Sequence, residues 1–437
     1  MIDFFTRTVV WLRQRSFFQA TQRTLVMLMP IAVLGSYFQL LFDLVFSPNG
    51  LIYNIFGLDK ILSDHLWYAG SFVSRGMVQV TFGVFGVYAT YFMARYTARI
   101  YQRDSTMAGM AAVLVILFCA YASSSGRDSR VPFTASLLQV DGVFIALIVG
   151  YCVGQVFHLL GKRYVLVKRE NVKWIRHRAW ASVLPMVVSL ILGIILGVII
   201  YELQLKMLNS ASFNEIVSRM QTTNNLAEGM LLSAVITLLG WLGIGYPLRS
   251  MSGTINNAYT AENLTYALHH GNSWNVPYKF LGSSLINNYG TMGGTSIVLA
   301  IIVVLLLRQK NHEIEALALL SLLPVAFSST LGFAVGMPLI LNPLFILPIL
   351  VLPLINMLLA ACAISLHILP VSVYPILKGT PGILIPFFGT NGDWVALVFP
   401  IILLVLDACL LLPIIKIGEK IEPRLNPEQE GAINAQK

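Results

Sequence analysis

Charged residues are scarce in this sequence of 437 residues. Lys and Arg number 29 and Asp and Glu 20, which makes 11% of the chain, whereas soluble domains carry about 25%. Apolar residues make up 57%. A soluble protein of this length could not cover its surface with so few charges, and neither a disordered chain nor a collagen has this composition. We therefore expect an all-α integral membrane protein with many spans.

The longest stretch without charge runs from residue 316 to residue 377, where no Asp, Glu, Lys or Arg occurs. One membrane-spanning helix needs about 20 apolar residues, so this stretch holds at least two spans. Seven prolines interrupt it, and proline breaks or kinks a helix. Broken helices at membrane depth need protein or a water-filled cavity around them. They are typical of the binding site of a transporter.

Cysteine is also rare. The four cysteines all lie inside apolar segments: Cys119, Cys152, Cys362 and Cys409. Their spacing fits neither a metal site nor a disulfide framework, and small buried thiols are the ordinary interpretation. We expect no metal and no cofactor.

Basic residues cluster in short segments beside the apolar ones, in residues 7–23, 95–103, 162–178 and 416–424. Short loops rich in Lys and Arg remain cytoplasmic, so membrane topology accounts for the net charge of +9. No basic domain stands apart from the spans, and nucleic acid is not an expected partner.

Apolar segments predict ten spans with an amphipathic segment before them. The predicted spans are residues 25–46, 77–97, 106–122, 137–160, 180–203, 227–246, 292–307, 316–334, 344–369 and 395–415. We divide the chain into an N-terminal amphipathic helix (1–23), a transmembrane domain (24–424) and a polar C-terminal tail (425–437). The tail fits either a natural end or a linker to another domain. The topology between residues 246 and 345 is left open, because basic residues near 308 fall on the outer side.

Residues 247–291 are too polar for a span and rich in asparagine, with Tyr259, Trp274 and Tyr278 among them. Amides bond hydroxyl groups, and aromatic faces cover the apolar face of a sugar ring. This mixture fits a carbohydrate site. An external loop with turn-forming Asn and Gly is the alternative, and composition does not separate the two.

Five segments resemble one known family in the right order along the chain: residues 15–42, 82–110, 293–299 (GGTSIVL), 336–343 (GMPLILNP) and 380–394 (TPGILIPFFGTNGDW). They are similar to segments of the membrane enzyme IIC component of the phosphotransferase system, in its lactose, cellobiose and diacetylchitobiose branch. The resemblance implies about ten transmembrane helices, two re-entrant hairpins and a homodimer in the lipid of the bacterial inner membrane. It also implies a disaccharide bound at the hairpins and phosphorylated by a cytoplasmic partner, enzyme IIB.

Two residues that are central to the family's site are missing. The family's histidine in Gly-Ile-His-Gly aligns with Gly245, and its glutamate in Asn-Glu-Pro aligns with Leu331. Glu and His can take a proton from a sugar hydroxyl near neutral pH, whereas Gly and Leu cannot. We therefore assign no catalytic residue and leave open whether the chain takes part in phosphotransfer. If the losses alone disable it, Leu331→Glu with Gly245→His should restore it.

Candidate sugar-binding residues are the polar groups and glycines of the hairpin regions. They are Glu262, Asn263, His269, His270, Asn272, Asn287, Asn288, Gly293, Gly294, Asn342, Thr390, Asn391 and Asp393. Most have a structural alternative. The carboxylates and histidines can cap helices, and the glycines can allow close backbone approach.

One further acid, Asp407, lies inside the last predicted span. An acidic residue within the membrane has a high free-energy cost, so its presence there usually indicates a functional role. A hydrogen bond to a neighbouring helix is the structural alternative.

Three functions fit the sequence. The first is an enzyme IIC-like permease for a cellobiose-like or chitobiose-like disaccharide. The second is a membrane sugar sensor, or an anchor for a cytoplasmic signalling protein, that does not transport. The third is a sugar transporter that is uncoupled from phosphorylation. We place the permease first because the resemblance covers nearly the whole chain.

Overall fold

The computed structural model describes residues 2–124, 135–163, 172–208, 222–245, 258–308 and 311–425. These residues form no β-strand, and their only bridges are isolated pairs at Gly50–Lys378 and Arg103–Arg163. Residues 426–437 of the predicted polar tail, and residues 246–257 at the start of the asparagine-rich stretch, lie outside the described residues.

Fourteen helices of six residues or more occur in the described part of the chain. They are α1 (Ile2–Arg13), α2 (Ser16–Leu44), α3 (Asp64–Thr81), α4 (Phe85–Ile100), α5 (Ser105–Ser124), α6 (Val143–Leu160), α7 (Val172–Leu208), α8 (Leu226–Leu242), α9 (Ala258–His270), α10 (Ser296–Arg308), α11 (His312–Ala326), α12 (Leu331–Gly336), α13 (Ile346–Ser365) and α14 (Trp394–Leu425). Shorter helical turns are Leu51–Ile55, Leu58–Ile61, Ala135–Leu138, Val140–Gly142, Gly282–Leu285, Ile286–Gly290, Met292–Gly294, Gly382–Leu384 and Ile385–Gly389.

Seven helical stretches among the described residues are long and apolar enough to cross a membrane. They are Ser16–Leu44, Asp64–Ile100, Ser105–Ala122, Val140–Leu160, Val172–Leu203, Ile346–Ser365 and Trp394–Ile421. The helices α8 and α10 are apolar but shorter. The expected all-α, multi-pass membrane protein is therefore confirmed, while the count of ten spans stays a prediction.

Two predicted spans differ from the helices observed. The predicted span 77–97 covers the end of α3, a break at residues 82–84 and most of α4. The predicted span 316–334 is divided, because α11 ends at Ala326 and α12 begins only at Leu331. Ser328 has a φ of 68° in this break, a left-handed conformation that cannot continue a helix. The prediction that the proline-rich stretch contains broken helices is confirmed.

The chain divides into two compact units. The first unit comprises residues 1–28, 79–214 and 242–246, and the second comprises residues 29–78, 215–241 and 247–437. Of the predicted divisions, the segment 1–23 covers α1 and the start of α2. The division into amphipathic helix, transmembrane domain and tail stays a prediction.

Close packing of α4 to α7 forms the core of the first unit. The buried core is built largely from small residues, among them Ala94, Ala98, Ala108 and Ala112. A Cβ on Gly150 of α6 would come within 2.8 Å of the Cβ of Met93 on α4. Small residues let membrane helices approach closely, and dispersion contacts then hold them together.

The core of the second unit surrounds the irregular chain between α9 and α10. Ile286, Tyr289 and Met292 from this chain pack with Met357 of α13 and Leu403 of α14, and all five are nearly fully buried. The segment therefore lies inside the unit, where its polar groups can meet a buried ligand.

Candidate functional site

A cavity of about 410 Å³ lies in the second unit, between α9, residues 281–288 and residues 372–376. Its lining includes Asn263, Ser284, Asn288, Ser372 and Tyr374. The volume falls within the roughly 300–1,000 Å³ that is typical of small-molecule sites. The lining combines amides, hydroxyls and one aromatic ring.

The wall formed by residues 282–295 is not a regular helix. An α-helical turn leads into a π-helical turn at Ile286–Gly290 and a 3₁₀ turn at Met292–Gly294. Gly293 and Gly294 have φ values of 66° and 92°, which glycine adopts without strain. A Cβ on Gly293 would lie 2.7 Å from Cδ1 of Ile385, so this glycine also permits close packing. Single π-helical turns occur frequently at functional sites.

Asn288 stands at the centre of this wall. It is 3% exposed. Its Nδ2 donates to Ser284 Oγ at 2.9 Å, and Ser284 Oγ donates to the Ser372 carbonyl at 3.0 Å. The Oδ1 of Asn288 is buried and has no hydrogen-bond partner in the described part of the chain. Its neighbour Asn287 is half-buried and is not part of the cavity lining.

Asn263, in the cavity wall formed by α9, connects this helix to the backbone of Tyr278. Its Nδ2 donates to the Tyr278 carbonyl at 2.9 Å, and its Oδ1 accepts from the Tyr278 N–H at 3.0 Å. Both ends of the amide are therefore engaged with the chain itself. The adjacent Glu262 is exposed. Desolvation, and after it the hydrogen bond with Glu262, raise the pKa of Tyr278.

Replacing Asn263 by alanine is expected to lower the free energy of unfolding by about 1–3 kcal/mol, because the partly buried N–H and carbonyl of Tyr278 both lose their partners. Thermal unfolding of the detergent-solubilised protein measures the change. Asn272→Ala is the matched control, because Asn272 is exposed. Equal melting temperatures for the two variants would contradict the bridging role of Asn263.

His269, His270 and Asn272 lie at the end of α9, outside the cavity lining, and all three are exposed. The His270 ring stacks on Tyr266 at 4.0 Å between centroids. Asn272 Nδ2 donates to the His270 carbonyl at 3.0 Å. The structure therefore places these residues at a helix end, as the capping alternative expects.

Asn342 belongs to the break between α12 and α13, away from the cavity lining. Its Nδ2 donates to the Pro338 carbonyl at 2.9 Å, and its Oδ1 accepts from the Leu344 N–H at 3.2 Å. Its carbonyl accepts from Trp241 Nε1 at 3.0 Å. Asn342 thus shapes this turn and joins it to α8.

The remaining predicted site residues precede α14. Thr390 Oγ1 donates to the Pro386 carbonyl at 2.9 Å. Asn391 is exposed and has a φ of 62°. Asp393 Oδ1 accepts from the N–H groups of Val395 at 2.8 Å and Ala396 at 3.2 Å. Asp393 is therefore a helix cap.

The two positions of the missing family residues lie in different units. The Gly245 N–H donates to the Asp141 carbonyl at 3.0 Å, and a Cβ on Gly245 would overlap the Asp141 carboxylate. Leu331 is half-buried and is the first residue of α12. Neither position presents a group that can move a proton.

Sequence reasoning did not identify Ser284 and Ser372 as part of the site. Serine is common in apolar segments, and no sequence pattern distinguishes these two serines from others outside the site. The buried partners of Asp407 were also missed. Ser296 Oγ donates to Asp407 Oδ2 at 3.2 Å, and Asn356 Nδ2 donates to the same oxygen at 2.9 Å. The structural alternative for Asp407, hydrogen bonds to neighbouring helices, is present.

The described part of the chain is an all-helical, multi-pass membrane protein with broken helices and a cavity that amide and hydroxyl groups help to line. Over 372 residues the chain is 20% identical to the "PTS system oligo-beta-mannoside-specific EIIC component" of Bacillus subtilis (strain 168), which covers 82% of the chain and 80% of that protein. Over 134 residues it is 33% identical to the "PTS system cellobiose-specific EIIC component" of Lactococcus lactis subsp. lactis (strain IL1403), covering 31% of the chain and 26% of that protein. The resemblance to enzyme IIC components is thereby confirmed.

Among solved structures, the chain is similar to the transporter ChbC, the IIC component of the N,N'-diacetylchitobiose-specific phosphotransferase system. The identity is 17%, the TM-score is 0.42, and the match covers 95% of this chain and 96% of that one. A likeness at this TM-score says nothing about the site. No family model matches the chain.

Proposed function

We propose that this protein is an enzyme IIC-like permease that binds a disaccharide in the cavity of the second unit and carries it across the membrane. The names of its relatives specify oligo-β-mannosides and cellobiose, so a β-linked disaccharide is the substrate class proposed. A homodimer and a cytoplasmic enzyme IIB-like partner belong to the same proposal.

One observation carries the proposal: the cavity combines amide, hydroxyl and aromatic groups at the size of a small ligand. Sugar hydroxyls both donate and accept hydrogen bonds, and amides and hydroxyls do the same. The Oδ1 of Asn288 is unpartnered and buried behind the cavity surface, and a rotation of this side chain would let it accept a bond from a sugar hydroxyl. Leaving such a buried acceptor unpaired costs about 1–3 kcal/mol, so a ligand that satisfies it gains affinity.

Uptake into proteoliposomes tests the proposal. Radiolabelled cellobiose and N,N'-diacetylchitobiose are the probes, with and without the cytoplasmic phosphorylating proteins. Saturable uptake of either sugar supports the permease. Saturable binding without uptake would instead support the sensor, and the absence of both would sink the proposal.

Asn288→Ala is expected to weaken disaccharide binding about tenfold, because one hydrogen bond is worth roughly 1 kcal/mol or more and 1.4 kcal/mol corresponds to a factor of ten. Titration calorimetry with cellobiose measures the change. Asn287→Ala, one residue away and outside the cavity lining, is the matched control. A larger loss in the Asn287 variant would place the sugar elsewhere.

Transport without phosphorylation is the second candidate. Gly245 and Leu331 stand where the family resemblance places a histidine and a glutamate. Neither side chain can accept a proton, so neither can activate a sugar hydroxyl for attack on phosphate. In the same uptake experiment, chromatography of the internal sugar separates the two candidates. Free sugar inside supports transport alone, and sugar phosphate supports the coupled permease.

A further inference from the structure

A carboxyl group lies fully buried near the middle of the last helix. Asp407 has an exposed fraction of 0% and lies within Trp394–Ile421, one of the stretches able to cross a membrane. An ionised carboxylate at membrane depth is expensive unless a cation or several donors compensate it. The surroundings of Asp407 therefore decide its state.

The hydrogen bonds around Asp407 leave two acceptors without a donor. Ser296 Oγ and Asn356 Nδ2 both donate to Asp407 Oδ2. Asp407 Oδ1 and Asn356 Oδ1 are both buried and have no partner within the described ranges. Asn356 itself has an exposed fraction of 0%. A proton on Asp407 Oδ1 would make that oxygen a donor, and the amide oxygen of Asn356, already its hydrogen-bonded neighbour, is an unpaired acceptor.

Within the described part of the chain, no cation faces Asp407 from the elements that pack most extensively against α14: α10, α13 and the segment 382–389. The only ionisable residue of α10 is Arg308, which is exposed at the end of that helix. The only one of α13 is Cys362, which is also exposed. Segment 382–389 contains none.

The remaining ionisable groups, on the π-helical turn and on α14 itself, place no cation beside Asp407 either. The π-helical turn contributes Tyr289, whose ring packs edge-on against Phe399 of α14 at 5.9 Å between centroids. On α14 itself Cys409 is exposed, and the basic residues from Lys416 onward are more than two turns away. Within the described ranges, Asp407 makes no ion pair with any basic residue.

We propose that Asp407, Asn356 and Ser296 form a proton-binding site, with the proton on Asp407 Oδ1 and Asn356 Oδ1 as its acceptor. A single proton neutralises the buried charge and satisfies both unpaired oxygens. A divalent metal cation is a poorer fit, because Mg²⁺ takes six oxygen ligands and Ca²⁺ six to eight, whereas only two oxygens are unpaired.

The proton site and the cavity share one irregular segment. Asn288, which lines the cavity, and Ser296, which binds Asp407, lie at the two sides of the 3₁₀ turn Met292–Gly294. A rearrangement of this segment on sugar binding would shift the Ser296 hydroxyl and change the stability of the proton on Asp407. On the assumption that the proposed transport function holds, proton binding and sugar translocation are then coupled.

Infrared spectroscopy of the solubilised full chain at neutral pH tests the site without any sugar. The C=O stretch of a protonated carboxylic acid is expected in the wild type, lost in Asp407→Asn and kept in Asp59→Asn, whose side chain is exposed. The absence of this band in the wild type, or its persistence in Asp407→Asn, would overturn the site. Asn356→Ala is expected to shift the band, and an unshifted band would remove Asn356 as the acceptor.

Proteoliposomes that contain a pH-sensitive dye test the coupling. Entry of labelled cellobiose is expected to carry protons inward in the wild type, and an imposed pH gradient to accumulate the sugar at least tenfold. Asp407→Asn should equilibrate sugar without proton movement or accumulation. Sugar entry without proton movement in the wild type would refute the coupling. No uptake at all would refute the transport function and the coupling, and the infrared band would still decide the proton site.

Discussion

Asp104→Ala is expected to lower the free energy of unfolding of the first unit by about 3–5 kcal/mol, the usual effect of removing one partner of a buried ion pair. Asp104 Oδ1 accepts from Arg178 Nη2 at 2.8 Å, and Asp104 Oδ2 accepts from Arg178 Nε. The two side chains are only 9% and 15% exposed. Alanine would remove the carboxylate that faces the guanidinium of Arg178 at this depth.

Asp104 has a second role that the variant also removes. Its Oδ1 accepts from the N–H groups of Thr106 at 3.2 Å and Met107 at 3.1 Å, so it caps the start of α5. Loss of a cap costs about 1 kcal/mol. Asp104→Asn separates the two contributions, because asparagine caps a helix well but carries no charge. We expect Asn to recover only the capping part.

A double-mutant cycle measures the ion pair itself. Arg178→Met keeps the apolar length of the side chain and removes the charge. The double variant Asp104→Asn with Arg178→Met removes both charges of the pair and is expected to lose less stability than the two single losses added together. Denaturant unfolding in detergent gives the four free energies. Strictly additive losses would show that the two residues do not interact.

The helix α5 of the first unit could be predicted well from composition. Residues 106–122 were expected to be a span, and α5 runs from Ser105 to Ser124. A continuous apolar run has few stable states in a membrane other than a helix, because its backbone must be satisfied internally. Length and hydropathy therefore determine such an element with little help from tertiary contacts.

The break between α11 and α12 could not be predicted in the same way. Residues 316–334 carry no charge, and hydropathy does not distinguish a broken helix from an unbroken one. The break depends on contacts from elsewhere in the chain. The Gly332 N–H donates to Ser36 Oγ at 2.9 Å, and Ser329 Oγ donates to the Ser36 carbonyl at 3.3 Å.

The candidate site could be predicted only in part, because it also depends on contacts that the sequence does not show. The asparagine-rich stretch supplies Asn263 and Asn288, and both line the cavity. Composition could not show that both ends of the Asn263 amide form hydrogen bonds with the backbone of Tyr278. Nor could it show that Asn288 has an unpaired oxygen. The two amides are chemically identical in the sequence. Only the fold determines which one has hydrogen-bonding capacity left for a ligand.

Gly245→His is expected to destabilise the first unit rather than to restore phosphotransfer. Beyond the overlap with the Asp141 carboxylate, a Cβ at residue 245 would lie 2.7 Å from Asp141 Cγ and 2.9 Å from Asp141 Cβ. Real Cβ contacts are not this short. On this geometry the double substitution of Leu331→Glu with Gly245→His, which the sequence favoured as a rescue, is expected to fail because histidine does not fit.

The smallest test of this packing is Gly245→Ala, for which we expect a loss of about 1–3 kcal/mol, as for other overpacked positions. Gly240→Ala is the matched control, because a Cβ on Gly240 meets nothing within 4 Å. Gly240 lies in α8, where alanine is favoured over glycine by about 1 kcal/mol. The two variants should therefore change the thermal unfolding temperature in opposite directions.

A compensating substitution shows whether Asp141 is the cause. Asp141→Ala removes the carboxylate with which a side chain at residue 245 would clash. The double variant with Gly245→Ala should therefore lose less stability than the two single losses added together. Additive losses would mean that another contact excludes the side chain. If the coupling is found, glycine at residue 245 is required by its packing on Asp141, and a histidine could enter only after Asp141 had changed. The missing histidine then reflects a different local structure, so that adding back the catalytic side chains alone cannot recreate the family's site.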